Sequence, residues 1–318
     1  MGVRARRHKV EIMKQGKCTT DVAGVDIGKK WLDVALAKST DHCRIANNPA
    51  GFTELTGWLR AHKVKRVGME ASGDYERGVR TALEAEDFEV VLHQPMEVKA
   101  FAIYRRIRMK SDKADARLIA LATQAYDGII ARRDPYLVDL ADLLTYYEQT
   151  SDLLAMTKNM AEHERPAVVK AMALAREQCL VQQKRDVLKL IIAKIRARPD
   201  LNVRFDLLKT LSGVGDVVAA VLVVRMPELG SLEHGQAASL LGVAPFDRDS
   251  GNFHGRRFII DGRSRPRTFV YMAALVAKRI KSDFKTFADR LLGTGKPPKV
   301  VIVAVMRKLI EAANLVLK

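Results

Sequence analysis

The sequence predicts an α/β plus α protein, with a mixed-sheet N-terminal domain followed by a long, mainly helical remainder. Three observations carry this. Through residue 130, short strand-like runs alternate with helical patterns. From Asp134-Pro135 to about residue 205, apolar residues recur at threes and fours and the strand pattern stops. Beyond that, apolar helical runs at 268–280 and 299–317 close the chain. A length of 318 residues is enough for two domains.

The first element is VAGVDIGKKWLDVALA, residues 22–37. Val22, Gly24 and the apolar run to Ile27 form a strand, Gly28-Lys29-Lys30 a turn, and Leu32, Val34 and Leu36 alternate along a second strand. Asp26 lies inside the first strand, where a carboxylate is costly unless a cation or strong donors meet it. A third strand spans His42 to Ala46, and Pro49 starts a helix through Phe52, Leu55, Trp58 and Leu59. Val64 to Met69 is a strand with Glu70 at its C-terminal end, and a loop follows at 71–74. Next come a helix with Val79 and Leu83 on one face, a strand from Phe88 to Leu92, and helical pattern from Val98 to Tyr104. Ser111 then N-caps a helix that opens with Asp112 and Asp115. Three antiparallel strands followed by alternating helix and strand is the order of a ribonuclease H-like domain.

Four acids, Asp26, Glu70, Asp112 and Asp115, come from three separate elements of that order. Convergent carboxylates repel one another and raise each other's pKa. A divalent cation relieves this, and Mg²⁺ favours hard oxygen ligands. A pair of ions about 4 Å apart would clamp the attacking and leaving oxygens of a phosphodiester. Taken singly, each acid has a plainer explanation: hairpin residue, solvated strand end, or helix-dipole partner. Their joint placement favours the metal site.

Pro166 splits the region 131–205 into two helices, either a coiled-coil-like arm or an amphipathic connector. LLKTLSGVGDVVAAVLVVRM then places Gly213 and Gly215 between two helices. This is either a helix-hairpin-helix-like grip on a phosphate or a plain turn. A short helix around Ala237 to Leu241 leads to a Gly- and Asp-rich loop from Phe246 to Gly255. Ser250 sits in that loop, with Arg248, Arg256, Arg257, Arg263, Arg265 and Arg267 around it in sequence. Asp-Ser-Gly is a common turn, while the arginines suit phosphate contact.

Composition bounds the partners. Lys plus Arg number 54 against 37 Asp plus Glu, a net charge of +17, which favours a polyanion such as nucleic acid. Three dispersed cysteines, Cys18, Cys43 and Cys179, give no disulfide framework or zinc knuckle and suit a reducing compartment. No apolar run reaches membrane-span length. The basic residues 1–19 lack the apolar core of a signal peptide and form an arm, phosphate-binding or simply solvated. The expected organisation is this arm, an α/β domain at 20–130, a helical linker at 131–205 and a C-terminal domain at 206–318.

The stretches GVDIGKKWLDVAL, GMEASGDYERGV, QPMEVKAFA, KSDKADARLIALA, LKTLSGVGDVVAAVL and LLGVAPFDRDSGNFHGRRFI run in order over nearly the whole chain. This ordered set resembles the DEDD transposase family of insertion sequences, the insertion-sequence one-ten family, which includes Piv-type DNA invertases. The resemblance implies a RuvC-like N-terminal domain, a coiled-coil linker and a C-terminal transposase domain. It implies a Mg²⁺-binding quartet of Asp26, Glu70, Asp112 and Asp115, and Ser250 as a nucleophile that links covalently to DNA. It further implies donor and target DNA and an element-encoded bridge RNA as partners. A homo-oligomer, dimer assembling to tetramer, in the bacterial cytoplasm near the nucleoid is also implied. Ser72 and Gln94 stand where the family usually has Thr and Asn. The competing readings are a RuvC-like structure-selective nuclease, a non-catalytic nucleic-acid-binding protein and, last, an actin-like sugar kinase.

Overall fold

A computed structural model describes residues 21–107, 111–128, 130, 133–163, 166–246, 258–259 and 262–318. The N-terminal arm at 1–19, Arg248, Ser250, Arg256 and Arg257 lie outside the described residues. The chain forms two compact units, up to Arg132 and from Arg133 onward.

The first unit is built on a five-stranded sheet. Its elements are β1 (Val22–Ile27), β2 (Trp31–Leu36), β3 (His42–Ala46), α1 (Pro49–Ala61), β4 (Arg66–Glu70), α2 (Arg77–Ala85), β5 (Glu89–His93), α3 (Pro95–Tyr104) and α4 (Asp112–Gln124). The strand order is β3-β2-β1-β4-β5. The first three strands pair antiparallel, and β4 and β5 run parallel to β1. This is the mixed sheet expected from the sequence.

Alternation decides what each face buries. Ala23, Val25 and Ile27 share a core with Leu55, Leu59, Val79 and Leu83 from α1 and α2. Gly24 and Asp26, displaced by one residue, point to the opposite face. There α4 lies against the sheet. A Cβ on Gly24 would sit 2.1 Å from the Ala116 carbonyl and 2.2 Å from the Ala120 nitrogen. One on Gly68, its partner on β4, would sit 1.7 Å from Thr123 Oγ1. The helix can approach this closely only because neither strand carries a side chain there. His93 fixes the register from β5: its Nε2 lies 2.8 Å from Thr123 Oγ1, which donates to the Ile119 carbonyl at 2.7 Å. The hydroxyl's proton is committed, so Nε2 is the donor to it. Burial lowers the His93 pKa, in keeping with a neutral ring.

The second unit contains α5 (Pro135–Ala161), α6 (Ala167–Ala197), α7 (Pro199–Lys209), α8 (Asp216–Arg225), α9 (Gln236–Leu241), β6 (Pro245–Phe246), β7 (Phe258–Ile259), α10 (Ser264–Ala277), α11 (Asp283–Gly293) and α12 (Pro298–Val316). Pro166 separates α5 from α6 as expected. The two helices run antiparallel, since Tyr136 bonds Lys194, Tyr146 bonds Gln183 and Lys158 pairs with Glu177. Their inner halves (Leu140, Leu144, Tyr147, Val187, Ile191, Ile195) share one core with α7 to α12. Their outer halves leave Met156, Met160, Val168 and Met172 exposed. Glu148, only 4% exposed, ties α5 into this core between Arg225 at 3.7 Å and Arg265 at 3.5 Å.

The sequence predicts helices at 268–280 and 299–317, with Gly293 to Pro298 as the loop between. The structure adds α11, capped by Ser282, whose side chain accepts from the Lys285 amide. Its apolar residues Phe284, Phe287, Ala288 and Leu291 recur at helical spacing but, apart from Ala288, are only partly buried. Smaller differences occur at β4 and β5, which start later than expected. Val64 and Phe88 instead close the preceding helices through bonds to Leu59 and Leu83.

Adding one methyl group at the α4 contact tests this packing. Gly24→Ala meets backbone rather than a movable side chain, so it should cost about 3 kcal/mol. The thermal midpoint of the full chain should fall by about 5 °C or more. A variant as stable as the wild type would show that α4 does not lie on β1 as described.

Candidate active site

Strand pairing brings the first acids together. Asp26 is directly opposite Asp33 on β2, and Asp33 is directly opposite Arg44 on β3. Directly opposed residues share a face, so all three side chains lie on the α4 side of the sheet. On the other flank of β1, the last paired positions are Val25 and Met69, and one residue further on lie Asp26 and Glu70. The glycine contacts seat Ala116 over Gly24, which carries the first turn of α4 with Asp112 and Asp115 towards Asp26 and Glu70. Ser111 caps that turn, its hydroxyl accepting from the Ala114 amide at 3.3 Å. The sequence-predicted quartet is therefore gathered at one end of one sheet face.

The electrostatics agree with the geometry. Asp26 is pushed up to about 6, first by burial and then by the charges of Asp115, Asp112, Asp33 and Glu70. Glu70 is also raised, by burial and then by Asp115. The acid nearest to both in effect is Asp115. Neighbouring loop residues have local duties. Ser72 donates from its amide and hydroxyl to Glu76 at 3.1 and 3.0 Å, and the Gln94 amide bonds Glu97 at 2.9 Å to open α3.

Two members of the cluster were missed from the sequence, Asp33 and Arg44. Arg44 Nε bonds Asp33 Oδ1 at 3.0 Å and Nη2 bonds Oδ2 at 2.9 Å. The same Nη2 reaches Asp112 Oδ2 at 2.5 Å. The signal for Asp33 was present: the hairpin turn fixes the register, and that register places residue 33 across from residue 26.

An all-carboxylate donor set, in which Asp26 and Glu70 are pushed up first by burial and then by neighbouring acids, fits a hard divalent cation in its chemistry. Among the described residues, however, no three His, Cys, Asp or Glu side chains are gathered closely enough to hold a metal ion. Asp112 is turned to Arg44.

In the second unit, Gly213 has a φ of +90°, and a Cβ there would meet the Ala273 carbonyl at 2.5 Å. Close packing on α10 thus explains this glycine. Gly215 precedes α8 at a position where an added Cβ would meet nothing within 4 Å, and Lys209 pairs with Asp216 in the first turn at 2.6 Å. Arg248, Ser250, Arg256 and Arg257 fall in sequence between β6 and β7, which pair antiparallel. Three arginines near them in sequence are used internally. Arg263 grips Glu228 and the Arg225 carbonyl, Arg265 reaches Asp152, and Arg267 bonds the Gly242 carbonyl.

Comparison with known proteins points to transposases. A transposase model of the DEDD, IS110 type matches residues 23–163, and the model of the Transposase IS116/IS110/IS902 family matches residues 205–289. The chain belongs to the IS110 family of transposases. Among curated relatives, the pilin gene-inverting protein of Moraxella bovis is 28% identical over 93% of this chain and 95% of its own length. That of Moraxella lacunata is 27% identical over the same shares. Among solved structures, Thermus thermophilus RuvC matches with TM-score 0.27 and 18% identity over 32% of this chain and 92% of its own. RuvC from the same organism in complex with a Holliday junction substrate has TM-score 0.25 and the same identity and coverage.

The raised Asp26 pKa has a measurable consequence without metal. The folded value, about 6, exceeds the ordinary 3.8. The ionised form therefore destabilises the fold, fully above pH 6 and not at all below 3.8. The carboxylate is only half-buried, so solvent screening leaves about 1 kcal/mol of this. In chelator-treated buffer Asp26→Asn should raise the melting temperature by about 3 °C at pH 8. The gain should close as pH falls to 4. A gain that persists at pH 4, or none at pH 8, would contradict the assigned environment.

Proposed function

We propose that this chain is an insertion-sequence recombinase that cuts and rejoins DNA through Ser250, with Mg²⁺ held by Asp26, Glu70, Asp112 and Asp115. The observation that carries the reading is the convergence of four acids from β1, β4 and α4 on one sheet face, with Asp26 and Glu70 pushed up in pKa. When bound, a divalent cation neutralises charge on the phosphodiester and on the acids around it. The chain's own groups do the rest. Ser250 Oγ forms a bond to phosphorus while the phosphorus–oxygen bond to the departing strand end breaks. The serine proton passes to a carboxylate, and the departing oxygen takes a proton from water. Rejoining is the reverse, with a new strand end as the attacking group. Arg248, Arg256 and Arg257 stabilise the charge that builds on the phosphate. They suit this role because Arg263, Arg265 and Arg267 have internal partners.

The net charge of +17 supports donor and target DNA as partners, and a bridge RNA that pairs them. The place of Gly215 as the residue before α8 supports a helix-hairpin-helix-like phosphate grip, while Gly213 shapes its turn. The exposed apolar residues on the outer halves of α5 and α6 support a coiled-coil arm in a homo-oligomer, a dimer assembling to a tetramer. Among the described residues no helix is long and apolar enough to cross a membrane. The site of action is the bacterial cytoplasm at the nucleoid.

The test is a recombination assay in cells on the native element and its flanking DNA, read by junction sequencing. Wild type should give joined junctions, whether insertions or inversions, while Ser250→Ala and Asp26→Ala should each reduce them by at least about 10³-fold. Junctions that persist with Ser250→Ala would overturn the nucleophile. Free cut ends without joining, dependent on Asp26 alone, would favour a structure-selective nuclease.

A further inference from the structure

The bonds around Arg44 are unequal, and the inequality has a direction. The guanidinium meets Asp33 as a fork, through Nε at 3.0 Å and Nη2 at 2.9 Å. Strand pairing sets these two residues directly opposite one another, and the Asp33 side chain is only 14% exposed. Such bidentate, partly shielded pairs are the strong kind. The bond to Asp112 is single and joins side chains that are 51% and 65% exposed. Exposed single ion pairs contribute little and exchange readily with solvent. Arg44 is thus anchored on Asp33, and Asp112 is its replaceable partner.

Asp112 also has the freedom to move. It opens α4 just after the Ser111 cap, and its side chain is largely exposed. Rotating it off Arg44 needs no change in the helix, which Gly24, Gly68 and the His93–Thr123 bond hold in place. A divalent cation among Asp26, Glu70 and Asp115 offers a carboxylate more than a solvated guanidinium does.

We propose that Arg44, anchored on Asp33, is a positioning residue that keeps the Asp112 carboxylate turned to itself until a divalent cation enters, and that cation entry transfers this carboxylate from Arg44 to the cation. This rests on the reading of the cluster as a cation site. Asp33 is then the base of the device and no ligand. Arg44 keeps one acid neutralised while the site is empty, which limits repulsion among five carboxylates. Transfer of Asp112 must break its bond to Arg44, so Arg44 lowers the affinity of the empty site.

The test is Mn²⁺ binding to the nucleic-acid-free full chain, followed by the signal of free Mn²⁺. The chains compared are wild type, Arg44→Gln, Asp112→Asn, the double variant and Asp26→Ala. Arg44→Gln should tighten Mn²⁺ about two- to fivefold. In the Asp112→Asn background the same change should tighten it distinctly less, because no carboxylate remains to be released. An equal factor in both backgrounds would mean that Arg44 acts only as a nearby charge, and would overturn the transfer. So would weaker binding by a folded Arg44→Gln chain. Loss of binding in Asp26→Ala keeps the cation reading intact in either case. Binding as in wild type by Asp26→Ala would sink that reading and the proposal with it. The wild type gives a second readout that needs no variant. On titration with Mg²⁺, the Arg44 Nη2–H that bonds Asp112 should lose protection from exchange while the Nε–H and the Nη2–H bonded to Asp33 keep it. Unchanged protection of the Nη2–H that bonds Asp112 at saturating Mg²⁺ would also overturn the transfer.

Discussion

The close approach of α4 to β1 and β4 is the constraint on which the site depends. Two strands present glycine at neighbouring positions, Gly24 and Gly68, and the helix backbone fills the space that side chains would take. Everything chemical follows from that seat. Gly24 and Gly68 each lie two residues before an acid, so the face that admits the helix is also the face that carries Asp26 and Glu70. The helix arrives with its capped, acidic first turn at the same end of the sheet. Thr123 and His93 close the arrangement at the C-terminal end of the helix.

Placing like charges together has an electrostatic cost, and the fold meets it in more than one way. Asp26 responds with a pKa near 6, so part of the population is protonated at neutral pH when no cation is present. Asp33 and Asp112 share the single positive charge of Arg44. Among the described residues no three-ligand cage is preformed, so under the proposed reading the acids close on a cation only when it binds. The tension is greatest in the empty state, where binding energy can relieve it.

Much of this was legible in the sequence because local rules and the fold agreed. The third strand, His42 to Ala46, and the Ser111 cap were read to the residue, since alternation and cap chemistry are short-range signals. The four acids were legible through their elements, not through any one of them. Asp33 was not, because a polar residue in an alternating strand reads as solvent-facing. Only the hairpin register shows that its face is the covered one. Arg44 escaped for the same reason: its role depends on pairing across two strands and on a helix sixty-eight residues away. The helix at Asp283–Gly293 was missed because most of its apolar face is only partly buried.

The family assignment and the acid cluster support each other from separate directions, one from sequence similarity across both units and one from the geometry of the first. Their common claim is that Asp26 sits at the centre of a cluster that a divalent cation completes. The most direct measurement is a carboxyl-carbon NMR titration of Asp26 in the full chain, with and without Mg²⁺. The account predicts a midpoint near pH 6 in chelator, falling by at least about one pH unit when Mg²⁺ saturates the site. A midpoint near 3.8 that Mg²⁺ leaves unmoved would contradict it.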